Sequence, residues 1–354
     1  MVGESSRLGV EKLVVRRAAF TVLAALGLVV SAFAASFAQE PFFKGKTIRI
    51  IVGFSPGGGY DTYARFIARH LGKHIPGAPT VTVENMPGAG SLIAANHIYK
   101  VAKPDGLTMA HFIGGLFLQQ LLGKPGVEFD SPKFQYVGVP VQDDFIIGIS
   151  RETGIANIDQ WFAAKTPVKF GGTATGSGTD DIPQVLRAAL GLPVQVVTGY
   201  KGSSDIRLAF NSGEIHGFSN GWQSTKATWG TELASGMMKI VLQVNSKSHP
   251  ELTHVPLAID FAKSDESRKL LQVITQVHGA SVRPFVLPPG TPKERVQLMR
   301  KAFMEALRDP ELTAEAAKAK LDIGPLGGEE LAKSVADIFK VDAAVIARLK
   351  EILK

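Results

Sequence analysis

Apolar positions along the chain form unbroken runs, strict alternations and stripes of helical period, and their order is the first structural information it carries. An unbroken run over 47–53 (TIRIIVG) predicts a buried strand. Tyr63, Phe66, Ile67, His70 and Leu71 then recur at helical spacing and predict a helix over 60–71. The sequence 80–84 (TVTVE) alternates as a strand, 92–101 reads as a second helix, and 107–113 as a third strand after the turn Lys103-Pro104-Asp105-Gly106. Apolar runs follow at 134–141 and 145–150, separated by Gln142-Asp143-Asp144, and a strand at 168–172. Ile182, Val185, Leu186, Ala189 and Leu190 predict a helix, with Pro183 tolerable in its first turn. Strands at 194–198 and 215–219 flank a helix over 203–211. Segment 261–268 reads as a further helix start, and helical stripes over 293–307 and 329–349 predict packed terminal helices of structural role.

Strands alternating with helices predict an α/β fold with mostly parallel sheets flanked by helices, and such sheets bind ligands at the carboxyl ends of their strands. Two lobes are expected of 354 residues. The first lobe is predicted over 39–140, the second over 141–245, and a return to the first with C-terminal helices over 246–354.

Before the first lobe, Arg16-Arg17 precede an uncharged run over 18–39 with the parts of a signal peptide, predicted over 1–38. Ser36-Phe37-Ala38 offers a cleavage site after Ala38, and Ala32-Phe33-Ala34 an earlier one after Ala34. An uncleaved anchor is the alternative, for which the run is marginal. Ala18-Ala19-Phe20 fits twin-arginine export poorly, so general secretory export is expected. The chain has no cysteine, which excludes disulfides, thiolate metal sites and cysteine nucleophiles. Residues 1–38 hold four basic and two acidic side chains, so their removal lowers the net charge from +7 to +5, a weak bias toward anionic ligands. No Lys/Arg stripe interleaved with aromatics is present, and no nucleic-acid partner is expected.

The candidate chemistry lies in the loops. Phe54-Ser55-Pro56-Gly57-Gly58-Gly59-Tyr60-Asp61 joins a strand to a helix. The first amides of a helix have no intrahelical acceptor, and glycines let a ligand approach the backbone, so the loop suits an anion. A tight turn without a ligand is the competing reading. Asp61 is expected to cap free amides and fix the loop, because a carboxylate facing an anion would repel it. Thr173-Ala174-Thr175-Gly176-Ser177-Gly178-Thr179-Asp180 repeats the device in the second lobe. Two patterns bear on an enzyme or metal function. Gly53-Phe54-Ser55-Pro56-Gly57 satisfies G-x-S-x-G between a strand and a helix, but the residue after the serine, which should donate an oxyanion N–H, is Pro56. His70 and His74 share a helix face without a third ligand nearby in sequence, and no metal is expected. No Walker A or Rossmann fingerprint is present, and no cofactor is expected.

The loops, in order, resemble the receptor family of tripartite tricarboxylate transporters, also called Bug proteins. The resemblance rests on 54–61 with 62–65, on ENMPGAG at 84–90, KPDGLT at 103–108, 176–179, Tyr200-Lys201-Gly202, NSGEIHGF at 211–218, PPGTP at 288–292 and Asp309-Pro310-Glu311. It implies a two-lobed periplasmic-binding-protein (clamshell) fold that is not an enzyme, closes on a small organic carboxylate and delivers it to transporter membrane subunits as a monomer. A sensor protein feeding a two-component system is the alternative of the same fold, and a serine hydrolase a weaker one. The first-lobe ligand site carried over comprises Phe54, Ser55, Gly57, Gly58, Gly59, Tyr60 and Asp61, with Asn85, Gly88, Ala89, Gly90 and Ser91. The second-lobe site carried over comprises Thr175, Gly176, Ser177, Gly178, Thr179 and Asp180; Asn220, which follows the strand at 215–219, is expected to reach the cleft by hydrogen bonding. Trp222 is expected either over an apolar part of the ligand or in the core. Departures are Tyr60, which should narrow or aromatically line the pocket; Ile182, where a histidine is common; and Asp180-Asp181, read as helix caps facing solvent, with the alternative that Asp180 faces the cleft and disfavours a second bare carboxylate on the ligand. Segment 258–279 also departs, leaving a third contact region undefined.

Overall fold

The computed structural model describes residues 40–279 and 283–354. The expected signal peptide lies outside the described residues, among which no helix is long and apolar enough to cross a membrane.

Two mixed sheets, each flanked by helices, carry the chain. The first sheet contains β1 (Thr47–Val52), β2 (Thr80–Asn85), β3 (Thr108–His111), β4 (Gln135–Val139), and later β10 (Phe285–Leu287) and β11 (Leu326–Gly327), in the order β11-β4-β10-β3-β1-β2. The second contains β5 (Phe145–Ser150), β6 (Val168–Gly171), β7 (Val194–Val197), β8 (Gly217–Gly221) and β9 (Met238–Val244), in the order β7-β6-β8-β5-β9. β1 is an interior strand parallel to both neighbours, which explains why its last three residues are all buried apolar side chains rather than alternating.

The predicted strands all form within a residue or two of their expected bounds. β9 and β10, which were not predicted, enter antiparallel: β10 lies between β3 and β4, and β9 pairs with β5. β10 has three residues, too few to show a period that a sequence pattern can detect.

Helices occupy Gly59–Leu71, Leu92–Lys100, Gly178–Leu190 and Ser203–Asn211 as expected. Because the third of these starts at Gly178, Pro183 is its sixth residue, beyond the first turn, and deprives the Thr179 carbonyl of its amide partner. The predicted start near 261–268 becomes the helix Asp265–His278, whose N-cap Ser264 accepts from Ser267 N at 3.1 Å. This helix packs on Gly178–Leu190, in the second lobe. The C-terminal stripe divides into the helices Gly328–Ile338 and Ala343–Ile352, and an unpredicted helix occupies Pro310–Lys318.

Trp229 is buried in the second lobe and stacks on Phe218 with ring centroids 4.0 Å apart. Trp222 is core as well: it packs with Ile146, Leu252 and Val255 and donates through Nε1 to Glu251 at 2.7 Å, so it does not cover a ligand.

Candidate functional site

The starts of helices Gly59–Leu71 and Gly178–Leu190 meet at one narrow cavity between the sheets, of ≈ 40 Å³. Of the residues selected from sequence, Phe54, Gly58, Gly59, Tyr60, Ser177, Gly178, Thr179 and Asn220 line it. Ile113, Phe145, Thr173, Ser203 and Ser224 line it too and were missed. Ser203 follows the Tyr200-Lys201-Gly202 motif at another helix start, a signal that could have found it; Ile113 and Phe145 read only as strand residues.

The remaining selected residues hold the lining in place. Gly57, at φ +81°, turns the first loop and donates its amide to Asp61 Oδ2 at 2.9 Å. Asp61 is 3% exposed and is further held by Arg65, at 2.9 Å, and by Asn85 Nδ2, at 2.9 Å. Burial raises its pKa, but the hydrogen bonds from Arg65, the Gly57 amide and Asn85 outweigh that, and the net shift is downward. Asp61 therefore fixes the loop as an anion, turned to Arg65 rather than to a ligand. Asn85 also donates to the Phe54 carbonyl at 2.9 Å, and Ser91 Oγ accepts from Ile113 N at 3.1 Å, so the 85–91 loop buttresses the cavity wall. Gly88, Ala89 and Gly90 do not reach the lining. Ser55 bonds across the lobes to Asp205 Oδ2, at 2.5 Å, and Ser204 Oγ, at 3.1 Å. No histidine touches it among the described contacts, as a serine nucleophile would need.

The second loop uses the same device. Asp181 Oδ1 accepts from Gly176 N at 2.9 Å, with His278 Nε2 3.6 Å from its other oxygen. Asp180 accepts from Ser177, at 3.0 Å, and Thr179, at 3.2 Å. Both aspartates are buried, at 2% and 0% exposure, which overturns the expectation that they face solvent. The helix Asp265–His278 covers this helix start, and no local pattern announces that covering. Neither aspartate lines the cavity, nor do Thr175 and Gly176, and Ile182 is core.

Burial is the main cause that pushes the Asp180 carboxyl up to about 6, partly offset by hydrogen bonds from Thr198, Ser177 and Thr179. The folded state thus holds this proton more tightly than the unfolded chain, whose value is 3.8. Its stabilising contribution is complete below about pH 4 and is lost as pH rises through about 6, on the order of 3 kcal/mol in all. Asp180→Asn removes this dependence. Urea unfolding of both proteins at several pH values checks it: the wild-type stability should fall relative to the variant between pH 4 and pH 7.

Tyr60 lines the cavity as expected, its ring 4.6 Å from Phe54 and 4.9 Å from His111. Burial pushes His111 down to about 3, so the imidazole is neutral. Behind Tyr60 lies an ion pair absent from the sequence reading: Arg283, 1% exposed, bonds Asp143 Oδ2 through Nη2 at 2.6 Å. Its guanidinium sits 4.7 Å from the Tyr60 ring and 5.0 Å from that of Tyr63. The lobes press together here, since a Cβ on Gly58 would lie 2.8 Å from Ser203 Oγ and one on Gly59 would lie 1.9 Å from Ser224 Oγ. Away from the cavity, His70, Asp309 and Glu311 offer ligand atoms within 4.8 Å of one another, supplying the partners that sequence spacing lacked. Lys73 Nζ already bridges Asp309, at 2.7 Å, and Glu311, at 2.6 Å, and occupies a cation's position there.

A family model described as tripartite tricarboxylate transporter family receptor matches residues 63–350. The chain belongs to this receptor family. The receptor is 24% identical over 330 residues to a UPF0065 protein of Cupriavidus necator, covering 92% of this chain and 93% of the relative. It shares its fold with the periplasmic binding protein BugD (TM-score 0.71, 20% identity, 87% of this chain and 97% of that one). It shares it also with MatC of Rhodopseudomonas palustris, solved with bound malate (TM-score 0.68, 20% identity, 87% and 99%). A further R. palustris protein, solved with adipate, matches at TM-score 0.67 and 19% identity over 87% and 96%. The receptor is therefore a two-lobed solute-binding protein and not an enzyme.

Proposed function

We propose that the receptor is exported to the periplasm, captures a small organic carboxylate between its lobes, and delivers it to the membrane subunits of a transporter. One observation carries the ligand class. Two helix starts face a cavity whose lining includes glycine backbone, five hydroxyl-bearing residues of Ser and Thr, and no acidic side chain. Amides without intrahelical acceptors together with the positive ends of two helix dipoles favour an anion. Asp61, Asp180 and Asp181 do not line that space, so no fixed carboxylate faces the anion there. The malate and adipate bound by two structurally similar proteins agree in chemical class.

A thermal-shift screen of residues 39–354 against mono-, di- and tricarboxylates, aromatic acids and amino acids tests this reading. A carboxylate at 100 times its Kd should add about 2.7 kcal/mol to stability. Gly58→Asp should remove that response without unfolding the protein, because Gly58 has an ordinary φ of −86° and the new carboxylate would occupy the anion's place beside Ser203. Response to neutral compounds alone, or a retained response in the variant, would overturn the assignment.

A further inference from the structure

Ser224 and Arg283 form a device that the amide-based reading does not use. Ser224 lines the cavity from the helix Trp222–Thr228, and its Oγ accepts a hydrogen bond from Arg283 Nη2. A hydroxyl that accepts from a guanidinium keeps its own hydrogen to donate, and among the described residues no protein group accepts it. Gly59 opens the way: a Cβ there would meet Ser224 Oγ at 1.9 Å and Arg283 Nη1 at 3.4 Å. Arg283 itself is held back from the cavity. Asp143 clamps Nη2, the rings of Tyr60 and Tyr63 lie against the guanidinium, and the side chain is 1% exposed with Nε and Nη1 unpartnered.

We propose that Ser224 is a ligand-selecting hydroxyl, and that Arg283 is the positioning residue that orients it. With the carboxylate held at the helix starts, the Ser224 O–H donates to a second hydrogen-bond acceptor elsewhere on the ligand: a carbonyl, a hydroxyl or a further carboxylate oxygen. Arg283 occupies the lone-pair side of Oγ and so aims its hydrogen at the cavity. The fixed cation behind the hydroxyl strengthens it as a donor to an acceptor carrying negative charge. The result is discrimination against ligands of equal length that end in a methyl group, because they leave a buried donor unpaired. This inference rests on the carboxylate-receptor reading.

The test is calorimetric titration of wild type, Ser224→Ala, Arg283→Lys and the double variant with butanoate, pentanoate, hexanoate, succinate, glutarate, adipate and 4-oxopentanoate. Ser224→Ala removes one oxygen and is the decisive variant; melting temperatures measured alongside identify any variant that does not fold. Wild type should prefer an acceptor-bearing acid over its methyl-ended counterpart. Ser224→Ala should cut that preference about tenfold or more while changing affinity for the methyl-ended acid less than about threefold. Arg283→Lys should shift selectivity in the same direction, and the double variant should lose no more than Ser224→Ala alone. An equal loss on every acid, or none, would refute the role of Ser224, and additive losses would refute the positioning role of Arg283. Wild type binding none of the seven while responding only to non-acids would instead bring down the carboxylate reading, and this inference with it.

Discussion

Gly59→Ala is expected to weaken ligand capture about 100-fold while each lobe stays folded. The added methyl carbon would lie 1.9 Å from Ser224 Oγ and 2.7 Å from Ser224 Cβ. Rotating the serine hydroxyl relieves the first contact but not the second, so the start of helix Gly59–Leu71 and the helix Trp222–Thr228 cannot keep their present separation. Within its own lobe the substitution is benign: Gly59 is the first residue of a helix, its φ is not left-handed, and alanine is the best helix former. The penalty therefore falls on the arrangement in which the lobes meet. Overpacking a tight contact costs about 1–3 kcal/mol and occasionally more. With a backbone helix start on one side, we expect the upper end, which weakens binding about 100-fold. Titration with the carboxylate found in the thermal screen measures this loss. Small-angle scattering should show that the variant, unlike wild type, does not compact on ligand addition. Wild-type affinity would mean that the lobes close differently from the arrangement described.

Asp143→Ala is expected to be the most destabilising single substitution near the site, at about 3–5 kcal/mol. It leaves the guanidinium of Arg283 buried without its counter-ion, in contact with Ser224 and the two tyrosine rings. Burial raises the Asp143 pKa and the adjacent Arg283 opposes that rise, so much of the gain from pairing is spent on desolvation. Removing both partners should consequently cost less than removing one. Urea unfolding of Asp143→Ala and of Asp143→Ala with Arg283→Met checks this, and a double variant as unstable as the single one would show that the pair contributes through packing rather than charge.

Both experiments concern groups that sequence patterns reach unequally. Gly58, Gly59, Gly178 and Thr179 were selected because strand, glycine-rich turn and helix are contiguous, and each loop brings its own fixing aspartate within six residues. The error over Asp180 and Asp181 has the same origin. Their capping of the loop is local and was readable, whereas their burial depends on the distant helix Asp265–His278 that lies over them. The 85–91 loop is carried over by resemblance and lies nearby, yet its side chains brace Phe54, Asp61 and Ile113 instead of lining the cavity.

By itself the sequence determined the α/β order, the two helix starts that favour an anion, and the family, because periodicity and turn chemistry act over a few residues and survive in any packing. Tertiary structure alone decided that β10 runs antiparallel between β3 and β4, that Asp143 and Arg283 meet under Tyr60, and that Ser224 completes the cavity wall. Those contacts join residues far apart in the chain, and which of many polar side chains pair is settled only when burial strips away water and makes an unpaired group costly.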